Sequence, residues 1–155
     1  MDDAHEGGCL CGNIRYRVAG PPMRTPVCHC TFCQRRTGTA FAIEPFFETA
    51  NIAFSGGQPQ AYRHVSDESK RWIEIEFCPR CGTNIGFTLE RWPGQYSIAG
   101  GTFDDPNWFK VDRHIWTRSM VSWMELPTNC ERWDEAWSGM VLPQVEDRRI
   151  NITTP

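Results

Sequence analysis

The sequence has no surplus of basic residues and no long hydrophobic run. Its formal charge is −3 and its isoelectric point is about 5.8, which argues against the basic surface of a nucleic-acid-binding protein. No apolar stretch approaches the ~20 residues that a membrane-spanning helix requires, so we expect no membrane association. The acidic start, MDDAHEGG, lacks the features of a secretory signal peptide. We therefore expect a cytoplasmic protein.

Helix signals are also few, whereas strand signals run along most of the chain. Two short segments, at 30–38 and 130–139, each predict a helical turn that ends at a glycine. Turns rich in Gly and Pro separate segments of alternating polarity. The predicted strands are NIRYRV (13–18), TAFAI (39–43), NIAF (51–54), QAYRHV (60–65), WIEIEF (72–77), NIGFTL (84–89), QYSIA (95–99) and RHIW (113–116). The chain is thus predicted to be mainly β, with one or two short helical turns.

The length of 155 residues is typical of one domain. We expect a flexible N-terminus over residues 1–6, a folded domain over 7–141 and a polar tail over 142–155. The tail is bounded by proline and carries few large apolar residues.

Cysteine is plentiful, and its spacing is the strongest signal in the sequence. Of eight cysteines, seven lie in three tight clusters: CLC at 9–11, CHCTFC at 28–33 and CPRC at 78–81. Residues at i and i+2 of an extended segment point to the same side, which suits two ligands of one metal ion. Cytoplasmic thiols are kept reduced. We therefore interpret the clusters as zinc ligands rather than as a disulfide framework.

The clusters predict two different zinc sites. CPRCG forms a tight turn between two predicted strands, and a CxC pair would complete a closed site of four thiolates. CHCTFC would then have three ligands, and an open fourth position distinguishes catalytic from structural zinc. The spacing alone also allows CPRC to join part of CHCTFC. His29 or Cys130 as a fourth ligand, and a metal-free redox site, remain alternatives.

Several motifs together resemble one known family. They are GGCLCGNIRY, CHCTFCQRRTGTAF, FCPRCGTNI, AGGTFDDP and HIW, which cover roughly residues 7 to 123. In this order they resemble the glutathione-dependent formaldehyde-activating family, which also includes the zinc-binding domain of centromere protein V. The resemblance implies a zinc-stapled fold of the β-tent kind. It implies a structural zinc on Cys9, Cys11, Cys78 and Cys81, and a second zinc on Cys28, Cys30 and Cys33 at the active site.

The resemblance also implies an activity. Members that give the family its name join glutathione and formaldehyde into S-(hydroxymethyl)glutathione and are classed with carbon–sulfur lyases. We therefore predict a zinc-dependent enzyme that forms or breaks a thiol–aldehyde adduct, with glutathione as a candidate co-substrate. The segment QRRTGTAF resembles the broad family rather than the glutathione–formaldehyde type. The alternatives are a non-catalytic zinc module that binds thiols or a protein partner, and a redox or metal sensor.

Some residues outside the clusters are also candidates for the site. Arg35 and Arg36 follow the three-cysteine cluster and could bind the carboxylates of glutathione. A set of aromatic residues could form the wall of a pocket: Phe32, Phe41 and Trp116. Asp104 and Asp105 lie in a turn, where a backbone-bonding role is expected before a catalytic base. For His114, a hydrogen-bonded structural role is expected before a proton shuttle.

Overall fold

The computed structural model describes residues 3–67 and 69–137, and this part of the chain is mainly β, as the sequence predicts. Its one α-helix is α1 (Thr31–Thr37). The strands are β1 (Ala4–Gly8), β2 (Ile14–Ala19), β3 (Pro26–Cys28), β4 (Ala42–Ile43), β5 (Phe46–Glu48), β6 (Ile52–Gly56), β7 (Gln60–Val65), β8 (Trp72–Phe77), β9 (Asn84–Leu89), β10 (Gln95–Ile98), β11 (Arg113–Ile115) and β12 (Glu131–Arg132). The predicted tail at 142–155 lies outside the described residues.

The strands form three sheets. The first has the order β1-β2-β6, the second β5-β10-β9-β8-β7 and the third β12-β11-β3-β4. The alternating segments 60–65, 72–77 and 84–89 become β7, β8 and β9 over the predicted residues. All three pair antiparallel, so the CPRC turn lies at the tip of the β8–β9 hairpin.

The third sheet positions the short helix. β3 pairs in parallel with β11 and antiparallel with β4, and α1 follows β3 after two residues. Cys30 is the N-cap, and its Sγ accepts a hydrogen bond from the Cys33 N–H at 3.3 Å. Gly38 ends the helix with φ of 69°, a left-handed conformation that glycine adopts without strain. The helical turn predicted at 30–38 is therefore confirmed.

The core consists of two apolar clusters. The larger lies between the first and second sheets, and the smaller lies under α1 on the third sheet. The larger is formed by Cys9, Ile14, Tyr16, Val18, Phe47, Cys78, Ile85, Tyr96, Ile98 and Phe103. The smaller is formed by Cys28, Cys33, Ala42 and Ile115. Each core cluster thus contains cysteines of one of the two predicted metal sites.

Several segments differ from the sequence-based expectation. β3 and β5 lie where no strand was predicted, and the strand predicted at 39–43 is confined to Ala42–Ile43. Residues 4–6, predicted to be flexible, belong to β1, which pairs with β2 along its whole length. The turn predicted at 130–139 is not helical over its described residues, because β12 and bends occupy 131–136. Trp133 and Trp137 nevertheless pack on the smaller core. Among the described residues, no helix has the length and apolar character that crossing a membrane requires.

Candidate metal centres

The first candidate centre joins two turns that are far apart in sequence. The sulfur atoms of Cys9, Cys11, Cys78 and Cys81 all lie within 4.8 Å of one another. The Cys9–Cys11 sulfur distance is 3.6 Å, and the Cys11–Cys78 distance is 3.8 Å. A tetrahedron with metal–sulfur bonds of ~2.3 Å has edges of ~3.8 Å. Since both distances match those edges, the four thiols fit a tetrahedral ion such as zinc.

Backbone and hydroxyl groups around this centre are arranged to stabilise thiolates. The Ile14 N–H donates to the Sγ of Cys9 at 3.2 Å. Hydrogen bonding by the Thr83 hydroxyl, at 3.1 Å, and by backbone groups lowers the pKa of Cys81 to about 5. The Leu10 N–H donates to the same hydroxyl and so ties the two turns together. Hydrogen bonds of this kind, donated to the ligating sulfur atoms, are typical of thiolate–metal sites.

The second candidate centre contains three cysteines. The sulfur atoms of Cys28, Cys30 and Cys33 also lie within 4.8 Å of one another. Cys28 ends β3, Cys30 caps α1, and Cys33 lies in the first turn of α1, so the strand–helix junction brings the three together. Cys28 and Cys33 are buried, whereas Cys30 is partly exposed. Access to this centre is therefore from the Cys30 side.

The electrostatics of the second centre favour a thiolate at Cys30. Hydrogen bonds from the thiols of Cys28 and Cys33, with backbone N–H groups, lower the pKa of Cys30 to about 3. The hydrogen bond with Cys30 raises the pKa of Cys28, hydrogen bonds with both other cysteines raise the pKa of Cys33, and burial adds to both rises. Three thiols that share their protons in this way fit a divalent cation, which would replace the protons.

A buried ion pair lies directly behind Cys33, and sequence reasoning did not identify it. The Glu44 Oε1 accepts from the Cys33 thiol at 3.3 Å and from the Arg36 Nη2 at 2.6 Å. Burial raises the pKa of Glu44, and the Arg36 guanidinium opposes that rise. The Arg36 Nη2 also lies 3.9 Å from the Cys33 sulfur. The pair therefore contacts the Cys33 sulfur from two side chains and helps to fix its position.

The structure places the alternative ligands elsewhere. His29 is fully buried, and its Nε2 lies 3.0 Å from the Nδ1 of His114. Neither His29 nor Cys130 belongs to a group of metal-ligating atoms among the described residues. The structural role expected for His114 agrees with this pairing. The two clusters thus divide as four and three, the division that the family resemblance implies.

Arg35 and Arg36 occupy different environments. The Arg36 side chain is 4% exposed and is hydrogen-bonded to Glu44 and to Asn84. Its guanidinium is therefore used inside the protein, although the sequence predicted it as a carboxylate ligand. Arg35 is exposed and lines an open groove of about 670 Å³ together with Phe32. Of the two, Arg35 has its guanidinium available to an incoming anion.

The other candidates have structural partners or lie apart. Asp104 forms a two-pronged ion pair with Arg15, in which the Nη1–Oδ1 distance is 2.9 Å. Asp105 accepts from the Asn107 N–H within its turn, the backbone-bonding role that was expected. Phe41 lines a second, smaller cavity of about 250 Å³ that also includes Glu44. Trp116 packs on the smaller core.

Comparisons with known proteins agree with the resemblance seen in the sequence. Residues 4–119 match the family described as glutathione-dependent formaldehyde-activating enzyme. A Halomonas elongata protein that carries the name of this family is 26% identical over 125 residues, which cover 78% of this chain and 80% of that protein. The crystal structure of a Rhodobacter sphaeroides protein is similar with a TM-score of 0.50 and 18% sequence identity. The matched region covers 83% of this chain and 98% of the Rhodobacter sphaeroides chain, and the similarity concerns the fold alone.

Proposed function

The chain belongs to the glutathione-dependent formaldehyde-activating family, and we propose that it forms or breaks an adduct between a small thiol and an aldehyde. The reference reaction joins glutathione and formaldehyde into S-(hydroxymethyl)glutathione. A carbon–sulfur bond forms, the carbonyl π bond breaks, and the thiol proton passes to the new hydroxyl oxygen. The reverse direction makes the enzyme a carbon–sulfur lyase. The observation that carries this proposal is the three-cysteine centre beside a separate four-cysteine centre.

The two centres have different proposed roles. The four-cysteine centre would hold a structural zinc, because Cys9, Cys11, Cys78 and Cys81 supply four thiolates and join the β1–β2 turn to the β8–β9 turn. The three-cysteine centre is the catalytic one. A zinc ion held there by Cys28, Cys30 and Cys33 would supply a Lewis acid with one position not taken by the protein.

The residues around the second centre would bind the thiol and the aldehyde and orient them toward each other. Cys30 is the partly exposed ligand, so it marks the side from which the thiol and the aldehyde enter. Arg36 supplies positive charge next to the Cys33 sulfur and is itself fixed by Glu44. Arg35 offers a guanidinium to the carboxylate of a thiol substrate. Holding two reactants together in this way supplies proximity and orientation, the main advantage available to an addition that also occurs without an enzyme.

The cysteines also support a proposal about the cellular setting. All eight are free thiols in the structure, and seven of them form the two centres. Thiolates on a metal persist where disulfides are kept reduced. We therefore propose a cytoplasmic location, with small-molecule thiols and aldehydes as partners.

Two-dimensional exchange NMR on a mixture of glutathione and formaldehyde tests the proposal. The adduct also forms spontaneously, so the zinc-loaded protein is compared with its Cys30→Ser variant and with buffer. Serine is a good N-cap residue, so this variant preserves the cap of α1 while removing one thiolate. Faster exchange with the intact protein alone would support catalysis at the second centre. Equal exchange in all three samples would remove this substrate pair and favour a non-catalytic zinc module.

A further inference from the structure

A groove lies between α1 and the outer part of the second sheet, on strands β7 and β8. Its lining includes Phe32 and Arg35 of α1, Tyr62 and His64 of β7, and Ile75 and Phe77 of β8, and its volume is about 670 Å³. Small-molecule sites in proteins typically enclose about 300–1,000 Å³. The groove thus has the size of a site for one small organic molecule.

The part of the groove that β8 forms is apolar and remains partly open to solvent. The alternation of WIEIEF places Ile75 and Phe77 on one face of β8, where a covered core face would be expected. Both are only half-buried, and the neighbouring Tyr62 on β7 is 59% exposed. The Phe32 ring lies 4.9 Å from the His64 ring across the groove. An apolar strip of this kind, left open beside a short helix, is typical of a ligand site.

Of the two arginines at the groove, only one has an acidic partner in the described part of the chain. The lining contains no carboxylate. Glu44 neutralises Arg36 from behind. Arg35 is exposed, and its guanidinium forms no ion pair or hydrogen bond with another described residue. In a chain with a formal charge of −3, one unpaired guanidinium above an apolar floor favours an anion with an apolar body.

The groove and the three-cysteine centre share a wall. Phe32 lies between Cys30 and Cys33 in sequence and packs on the core cluster that contains Cys28 and Cys33. The same side chain lines the groove. A molecule bound in the groove would therefore lie against the helix that carries two of the three cysteines.

We propose that this groove binds a small monocarboxylate with an aromatic or extended apolar body, the carboxylate on Arg35 and the body on Phe32, Tyr62 and Phe77. Glutathione has two carboxylates and an ammonium group and little apolar surface, so it matches this lining less well. Binding of a carboxylate in the groove does not depend on the thiol–aldehyde reaction. The proposed function is needed only for one further step, which is to regard the bound carboxylate as part of the thiol substrate itself.

Titration of the zinc-loaded protein with 3-phenylpropanoate and with its neutral analogue, 3-phenylpropan-1-ol, tests the proposal. Binding is followed by calorimetry and by the aromatic NMR signals of Phe32, Tyr62 and Phe77. We expect the carboxylate to bind about tenfold more tightly than the alcohol, because a guanidinium–carboxylate bond is charge-assisted. Its aromatic ring should shift the signals of all three groove residues.

Matched variants separate the contribution of the Arg35 charge to binding from that of the aromatic lining. Arg35→Ala should abolish the preference for the carboxylate, and Arg35→Lys should retain part of it. Lys110→Ala is the control: it removes an exposed charge outside the groove and should leave the preference unchanged. Tyr62→Ala should weaken both ligands. Equal affinity for acid and alcohol, a preference that survives Arg35→Ala, or shifts confined to other residues would overturn the proposal. No thiol or aldehyde is present, so such a failure would leave the thiol–aldehyde reaction to its own exchange experiment.

Discussion

Arg36 and Glu44 form an ion pair inside the protein, with 2.6 Å between Nη2 and Oε1 and side chains that are 4% and 8% exposed. Both side chains contact the Sγ of Cys33. An arginine one helical turn after a candidate metal ligand is thereby connected to the carboxylate that directly follows β4. The pair fixes α1 to the third sheet at the point where the second centre needs a defined geometry.

Removing one member of this pair should be costly. Glu44→Leu leaves the Arg36 guanidinium buried without its partner, and we expect the free energy of unfolding to fall by about 3–5 kcal/mol. Denaturant unfolding of the zinc-loaded protein measures this change. The double variant Arg36→Met/Glu44→Leu removes both charges and should recover most of the loss. A single variant within about 1 kcal/mol of the wild type would show that the pair is not held as described.

The two centres should respond differently to the loss of one thiolate. Cys78 is fully buried in the larger core, so Cys78→Ser should unfold the domain by leaving a structural zinc one ligand short. Cys30→Ser should remain folded and lose only the second metal. Thermal melts together with metal analysis measure both effects. If Cys30→Ser unfolds the protein while Cys78→Ser does not, the assignment of structural and catalytic centres is reversed.

Asp104 is expected to act in structure rather than as a base. The hydrogen bond from Arg15 lowers its pKa from the ordinary value of 3.8. A carboxyl with a lowered pKa in the folded state stabilises the protein above its unfolded pKa, and that stabilisation is lost as the pH falls through its folded pKa. The stability difference between the wild type and Asp104→Asn should therefore be constant between about pH 5 and pH 8.

Exchange NMR on the same Asp104→Asn variant completes this test. The variant should catalyse thiol–aldehyde exchange at the wild-type rate, since the carboxylate is already bound to Arg15. A large fall in the exchange rate, or a stability difference that changes with pH inside that window, would return Asp104 to the list of candidate bases.

The close approach of β1 to β2 should make Gly7 intolerant of a side chain. A Cβ at Gly7 would lie 2.2 Å from the Tyr16 hydroxyl and 2.4 Å from the Thr102 carbonyl oxygen. We expect Gly7→Ala to lower the free energy of unfolding by about 1–3 kcal/mol through overpacking. Gly101→Ala is the matched control, because a Cβ there meets nothing within 4 Å. Similar stabilities for the two variants would contradict the placement of β1.

Local patterns in the sequence predict the strands in which apolar and polar residues alternate. WIEIEF and QAYRHV became β8 and β7 over the predicted residues. β1 was missed because His5, Gly7 and Gly8 give no β signal, and its pairing with β2 decides its conformation. The sequence predicts a helical turn at 130–139, but Trp133 and Trp137 reach the smaller core from an irregular segment. In both cases a tertiary contact overrides the local pattern.

The two cysteine groups are predictable from the sequence, whereas their surroundings are not. Cysteine spacing gave the clusters, and the family resemblance gave their division into four and three. Glu44 had no local signal, because its contacts with Arg36 and Cys33 arise only when β4 packs beside α1. The groove was equally hidden, since its lining comes from α1, β7, β8 and the turn before β9. Arg36 was predicted to bind substrate because sequence proximity to the cysteines does not reveal burial.

The measurement that tests the account most directly is the cobalt spectrum of the second centre during addition of small thiols. The four-cysteine centre is kept loaded with zinc and cobalt is placed on Cys28, Cys30 and Cys33, with Cys30→Ser as the control. Our account predicts that an added thiol strengthens the thiolate-to-cobalt absorption in a saturable way in the intact protein and not in the variant. A spectrum that stays constant at every thiol concentration would show that no coordination position is available to substrate, and it would contradict catalysis at this centre.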